Sequence, residues 1–194
     1  MSKESFKPLL ASVRACTLCV DDLEAGVRPV LQAHPDARVL IAGQAPGSKV
    51  HATGVPFDDP SGNRLRDWMG VDRDTFYDET RIAILPMGFC YPGKGKSGDL
   101  PPRPVCAQTW RKKLLDALPK VGLVLVIGQY ALDWHLPEKR ATLTETIRAW
   151  ASYKRDLLPL PHPSPRNNIW LKKNPWFEIE VIPELRLRVA KALG

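Results

Sequence analysis

The chain has no internal repeat, no low-complexity tract and no apolar window approaching the length of a membrane span. The first residues, MSKESFKPLLASV, hold no apolar stretch long enough for a signal peptide. These absences exclude repeat and membrane-spanning architectures and give the expectation of a cytoplasmic protein. Neither a GxGxxG fingerprint nor a Walker loop is present, so the two commonest phosphate-cradling motifs are missing. Cysteine is scarce, with 4 in 194 residues, and in a cytosolic protein such residues are more often ligands or catalytic groups than disulfides.

What remains is ordinary globular material with a charge bias. Hydrophobic residues make up 44% and charged residues 25%, and the length suits a single domain over residues 1–194. The net charge of +7 suits a polyanionic partner such as nucleic acid, although the basic residues are spread along the chain.

Four short apolar runs read as strands: 38–42 (RVLIA), 81–85 (RIAIL), 123–127 (LVLVI) and 156–160 (DLLPL). Continuous apolar runs of this length fit strands buried on both faces, as in parallel sheets. Pro159 makes the fourth short or places it at an edge. Helical patterns lie between and after them. Residues 63–69 form one and 142–150 another. Between 104 and 118, Cys106, Trp110, Leu114 and Leu118 mark one face of a third, with Pro104 in its first turn. Asn174-Pro175 opens a last stretch to Leu193, which Pro183 should kink or split. Strands alternating with helices predict a three-layer α/β/α domain around a central, mainly parallel four-stranded sheet.

Each run is followed by a glycine- or proline-marked loop: GQAPG (43–47), PMGF (86–89), GQ (128–129) and PHPSPRN (161–167). In an open parallel sheet the ligand crevice lies at the carboxyl ends of the strands, so these loops should converge on one cleft. The glycines of GQAPG let backbone amides approach a ligand, and a tight strand-to-helix turn is the plainer alternative. HPSPRN offers the imidazole of His162, the hydroxyl of Ser164, the guanidinium of Arg166 and the amide of Asn167, held by prolines in a fixed shape. GVPF (54–57) sets Phe57 beside Asp58 and Asp59: a ring to stack on a flat substrate and acids to orient water, or simply an Asp-Asp-Pro-Ser-Gly turn. Trp170, near Lys172 and Lys173, suits either base stacking or the core. Cys16 and Cys19 form C-x2-C, and Cys90 and Cys106 form C-x15-C. Four thiolates can bind zinc or an iron–sulfur cluster, and free buried cysteines are the alternative.

Taken in order, these segments resemble the uracil-DNA glycosylase superfamily. GQAPG is similar to its first motif and HPSPRN to its second, the latter especially in the single-strand-selective monofunctional branch. The run from Gly47 to Phe57 and the cysteine set look like the iron–sulfur branch of bacteria and archaea. The resemblance implies a monofunctional hydrolase that excises uracil from single- or double-stranded DNA. Gly43, Gln44 and Ala45 would contact the flipped base and Phe57 would stack on it. His162 would face the base O2, with Asp58 or Asp59 orienting water. Ser164, Arg166 and Asn167 would meet DNA, with Arg166 where relatives carry a wedge. Cys16, Cys19, Cys90 and Cys106 would hold a 4Fe–4S cluster, with zinc as the alternative, and the protein would act as a monomer.

Two departures accompany the resemblance. The first motif carries no acid, and Pro86 or Met87 stands where relatives place a base-reading Asn. A different deaminated base, such as hypoxanthine, is therefore an alternative substrate. A non-catalytic DNA or abasic-site binding module, and a zinc-stabilised hydrolase of free nucleotides, are the rival functions.

Overall fold

The computed structural model describes residues 3–96, 98–136 and 138–194, with side chains from Phe6 onward. Its central sheet has four strands, β1 (Val39–Ala42), β2 (Ile82–Ile84), β5 (Leu123–Ile127) and β6 (Leu157–Leu160), in the order β2-β1-β5-β6 with every pair parallel. A separate two-stranded antiparallel hairpin, β3 (Lys94–Gly95) and β4 (Gly98–Asp99), lies between β2 and β5 in the chain.

The strands are apolar throughout because both faces are covered. Alternate side chains point to opposite faces. Val39, Ile41, Ile82, Ile84, Leu123, Leu125 and Ile127 pack on α3 (Pro60–Met69), α4 (Arg73–Tyr77), α8 (Leu143–Arg148) and α10 (Ile182–Leu193). Leu40 and Ala83 face α1 (Lys3–Arg14) and α6 (Lys112–Asp116), while Ala42 and Val126 face α7 (Gln129–His135). The expected three-layer α/β/α architecture is the observed one. Pro159 sits on edge strand β6, in register with Val126. A proline there removes a ladder donor at the strand where that loss is tolerated.

Three helix starts follow from local chemistry. Asp59 caps α3 by accepting from the Gly62 amide at 2.8 Å, with Pro60 in the first turn. Thr142 and Glu145 form a capping box at α8. The helix expected from Pro104 is present as α5 (Pro104–Cys106) and α6, joined by a π turn at Ala107–Arg111. The final helix is likewise preceded by a π turn, Phe177–Val181, just before Pro183. Widening the turn is how this chain absorbs a residue without an amide proton. The remaining helices are α2 (Ser48–Thr53) and α9 (Asn168–Lys173). Among the described residues no helix is long and apolar enough to cross a membrane.

Candidate functional site

A cleft of about 540 Å³ opens at the carboxyl ends of β1, β2 and β6, built by three of the four expected loops; Gly128 and Gln129, after β5, are not among its lining residues. GQAPG forms one wall, Phe57 and Asp59 another, and HPSPRN a third, with Pro86 after β2 and Gly98 and Asp99 from the hairpin completing the rim. Of the expected site residues, Gly43, Gln44, Ala45, Phe57, Asp59, His162, Ser164, Arg166 and Asn167 all line this one cleft.

The GQAPG loop is held open by its carbonyls. Met87 donates its amide to the Gly43 oxygen at 2.9 Å and Gly88 donates to the Gln44 oxygen at 3.0 Å. The amides of Gln44 and Ala45 donate to no described group, so both are available to a ligand in the cleft. The Gln44 side chain turns toward the hairpin, its amide reaching the Leu100 carbonyl at 3.5 Å.

Phe57 occupies the left-handed backbone region, with φ of 55°. A non-glycine residue there costs on the order of 1–3 kcal/mol, which surrounding structure must offset. Gly62 makes the conformation sterically possible: a β-carbon at that position would stand 1.7 Å from the Phe57 carbonyl oxygen. Glycine thus lets the first turn of α3 press against the Phe57 backbone. The ring leans on Phe76 edge-to-face at 6.2 Å, and its tip lies over Gly43.

The two neighbouring acids part company. Asp59 lines the cleft while its Oδ1 caps α3. Asp58 is not among the lining residues and pairs with Arg73 at 3.1 Å.

His162 is the best-defined group. The Ser164 amide donates to Nδ1 at 3.2 Å, and the Asn167 side chain donates to the His162 carbonyl at 2.7 Å. Nδ1 is therefore the acceptor and Nε2 carries the proton in the neutral ring. Burial holds the imidazole below its usual range, opposed by the Asp59 and Asp99 carboxylates. The result is a neutral N–H donor facing the cleft. Ser164 Oγ accepts from the Arg166 amide at 3.2 Å, so Ser164 and Asn167 both shape the loop. Arg64 of α3 braces it from outside, donating to the Ser164 carbonyl at 3.1 Å and to Asn168 Oδ1 at 2.8 Å. Arg166 is exposed at the cleft edge, its guanidinium beside Gly98. Trp170 takes its core role: it packs edge-to-face on Trp176 and Phe177 and donates to Thr144 Oγ1 at 2.8 Å.

All four cysteines are free, half-buried and line a second, mostly apolar pocket with Val13, Leu23 and Phe89. Two of the sulfurs accept an N–H. Trp110 Nε1 reaches Cys16 at 3.3 Å and the Phe89 amide reaches Cys106 at 3.4 Å. Burial raises the Cys19 and Cys90 thiols and pushes Cys106 up to about 12. The Arg103 side chain and the Arg28 backbone oppose the upward shifts of the Cys19 and Cys90 thiols. Among the described residues no three His, Cys, Asp or Glu side chains are grouped to hold a single metal ion. The donor set nonetheless fits a multi-iron group: four sulfurs around one pocket, with N–H donors on Cys16 and Cys106.

Sequence reasoning missed two features. Asp99 reaches the cleft on a hairpin hidden in a stretch of glycine, lysine and serine. Arg111, in the π turn, is 1% exposed; it donates to the Leu85 and Pro86 carbonyls at 3.1 and 3.2 Å and from Nε to His135 Nε2 at 3.2 Å. It thereby props the end of β2, where Pro86 meets the cleft.

The family model of the uracil DNA glycosylase superfamily matches residues 31–186, a span that takes in both motif loops and the hairpin and leaves out Cys16 and Cys19. With more than half of its length matched, and with the parallel sheet and loop-built cleft described above, the chain belongs to the uracil DNA glycosylase superfamily.

Proposed function

We propose that the protein is a monofunctional DNA glycosylase that hydrolyses the N-glycosidic bond of uracil, or of another deaminated base, in DNA. The observation that carries this reading is the tautomer of His162: Nδ1 accepts from Ser164, so Nε2–H is the group left to meet the base. The bond breaks with positive character on the sugar and negative charge on the departing base. A preorganised neutral donor stabilises that charge, and one such donor contributes about 3–4 kcal/mol to the barrier. The free amides of Gln44 and Ala45 supply donors from the opposite wall, and Phe57 supplies a face for the flipped ring. Neither motif loop, GQAPG nor HPSPRN, carries a lysine for Schiff-base chemistry, so the expected product is an intact strand with an abasic site. The lining cations Lys49 and Arg166 suit the flanking phosphates.

Cys16, Cys19, Cys90 and Cys106 would hold a 4Fe–4S cluster. Bound there, it would supply rigidity and local charge beside the DNA-facing surface, with no part in bond cleavage. A zinc ion would need four sulfurs about 2.3 Å from one point.

The test is a panel of labelled oligonucleotides carrying uracil, hypoxanthine or xanthine, single- and double-stranded, with protein in excess. Release of free base, with strand scission only after alkali, is the expected result. Tight lesion binding without release from any substrate would replace this reading by the binding module.

A further inference from the structure

The first motif lacks an acid, yet the cleft has two lining carboxylates, Asp59 and Asp99. Asp59 is already committed, its Oδ1 capping α3 at 2.8 Å. The Asp99 carboxylate accepts no hydrogen bond and joins no ion pair among the described residues. Its Oδ2 lies 3.6 Å from the point a β-carbon on Gly47 would occupy, so the carboxylate stands directly against the first-motif backbone. The hairpin that carries it touches both motifs: Leu100 receives the Gln44 side chain at 3.5 Å, and Gly98 lies beside the Arg166 guanidinium.

We propose that Asp99, presented by the β3–β4 hairpin, is the catalytic carboxylate that orients and deprotonates the attacking water. The proposal rests on the excision reading above. In the step, the water oxygen bonds to the sugar C1′ as the C1′–N bond breaks. The electron pair of that bond leaves with the base, whose charge is met by His162 Nε2–H and the Gln44 and Ala45 amides. The water proton passes to the Asp99 carboxylate and from there to solvent. An unpaired carboxylate in a cleft built for a polyanion opposes binding, so its presence is explained by the chemical step rather than by affinity.

The experiment compares wild type with Asp99→Asn and Asp99→Glu under single-turnover conditions on a uracil-containing single strand. Affinity for an oligonucleotide with an abasic analogue and the thermal midpoint are measured alongside. Asp99→Asn should slow release by roughly 10²–10⁴, the range for a positioned base. It should bind the abasic strand at least as tightly as wild type. Asp99→Glu should recover part of the rate. An Asp99→Asn rate within about 3-fold of an active wild type overturns the assignment and leaves excision standing. So does a loss of rate matched by a lowered thermal midpoint, with no recovery in Asp99→Glu. Wild type that releases no base from any substrate overturns the excision reading itself, and this assignment with it.

Discussion

The amide of Ser164 donates to Nδ1 of His162 across 3.2 Å, and so decides which ring nitrogen carries the proton. Two residues of separation, stiffened by the intervening Pro163, make this contact local and independent of substrate. Replacing His162 with Ala should slow base release by roughly 10²–10³, the effect of losing one preorganised donor. Because burial lowers the imidazole pKa, the neutral donor persists below the usual value of about 6.5. The His162 contribution to the rate should therefore stay flat from pH 8 through pH ~6.5. An imidazole resonance that titrates at or above the ordinary value, followed by NMR, would contradict this.

Phe57 and Gly62 form one device. Phe57→Ala should weaken base binding by about 1–3 kcal/mol through lost stacking. Gly62→Ala, which puts a β-carbon into the Phe57 carbonyl, should cost about 1–3 kcal/mol of stability or more as α3 shifts. Chemical denaturation separates the two. Gly62→Ala lowers the midpoint, whereas Phe57→Ala acts mainly on the dissociation constant.

The thiol pocket predicts a colour. Protein purified without oxygen should be brown, absorb in the iron–sulfur region and contain about four irons. Cys16→Ala or Cys106→Ala should remove the colour and lower the thermal midpoint. Colourless protein with one tightly held zinc would replace the cluster by a structural zinc site.

The Arg111–His135 pair makes the fold sensitive to acid. Burial, reinforced by Arg111, pushes His135 down to about 3, while Arg111 itself falls to about 10. The unfolded chain gains a proton on this histidine as pH drops through about 6.5, and the folded chain does not. Stability is therefore fully present above about pH 6.5 and is lost progressively below it, by up to ~1.4 kcal/mol per pH unit for this group. His135→Gln, which can still accept from Arg111, should flatten the urea midpoint between pH 7 and pH 5. An unchanged slope would assign the acid sensitivity elsewhere.

Arg166 stands exposed at the cleft edge. Arg166→Ala should weaken binding to lesion-bearing duplex, and log affinity against log salt should lose about one charge of slope. Binding that is flat across the salt titration would remove the polyanion reading.

Much of the fold was readable from the chain because strands buried on both faces have a simple signature. The run 123–127 is β5 residue for residue, and the others differ only at their ends. The cleft followed from topology, since loops after parallel strands share one edge. The hairpin did not follow, because Lys94–Gly95 and Gly98–Asp99 have none of the β-branched alternation that marks a strand. The π turn at Ala107–Arg111 was equally silent: Cys106, Trp110 and Leu114 keep a four-residue spacing in either helix type. Arg111 reads as a surface cation, and only three-dimensional packing reveals that the chain buries it. Asp58 and Asp59 were indistinguishable as neighbours. The α3 cap and Arg73 separate them.

The β3–β4 hairpin lies within the 15 residues between Cys90 and Cys106, and those two cysteines line the same pocket. The two ends of the segment therefore lie near one another at one pocket although both thiols are free, and a group held by both thiols would close the loop and lower the entropy lost when it orders. A group bound at the cysteines would thereby act on more than their own pocket, because the segment they bracket carries Asp99 to the cleft. Lengthening or shortening that segment would retune the cleft from outside, leaving sheet and core as they are.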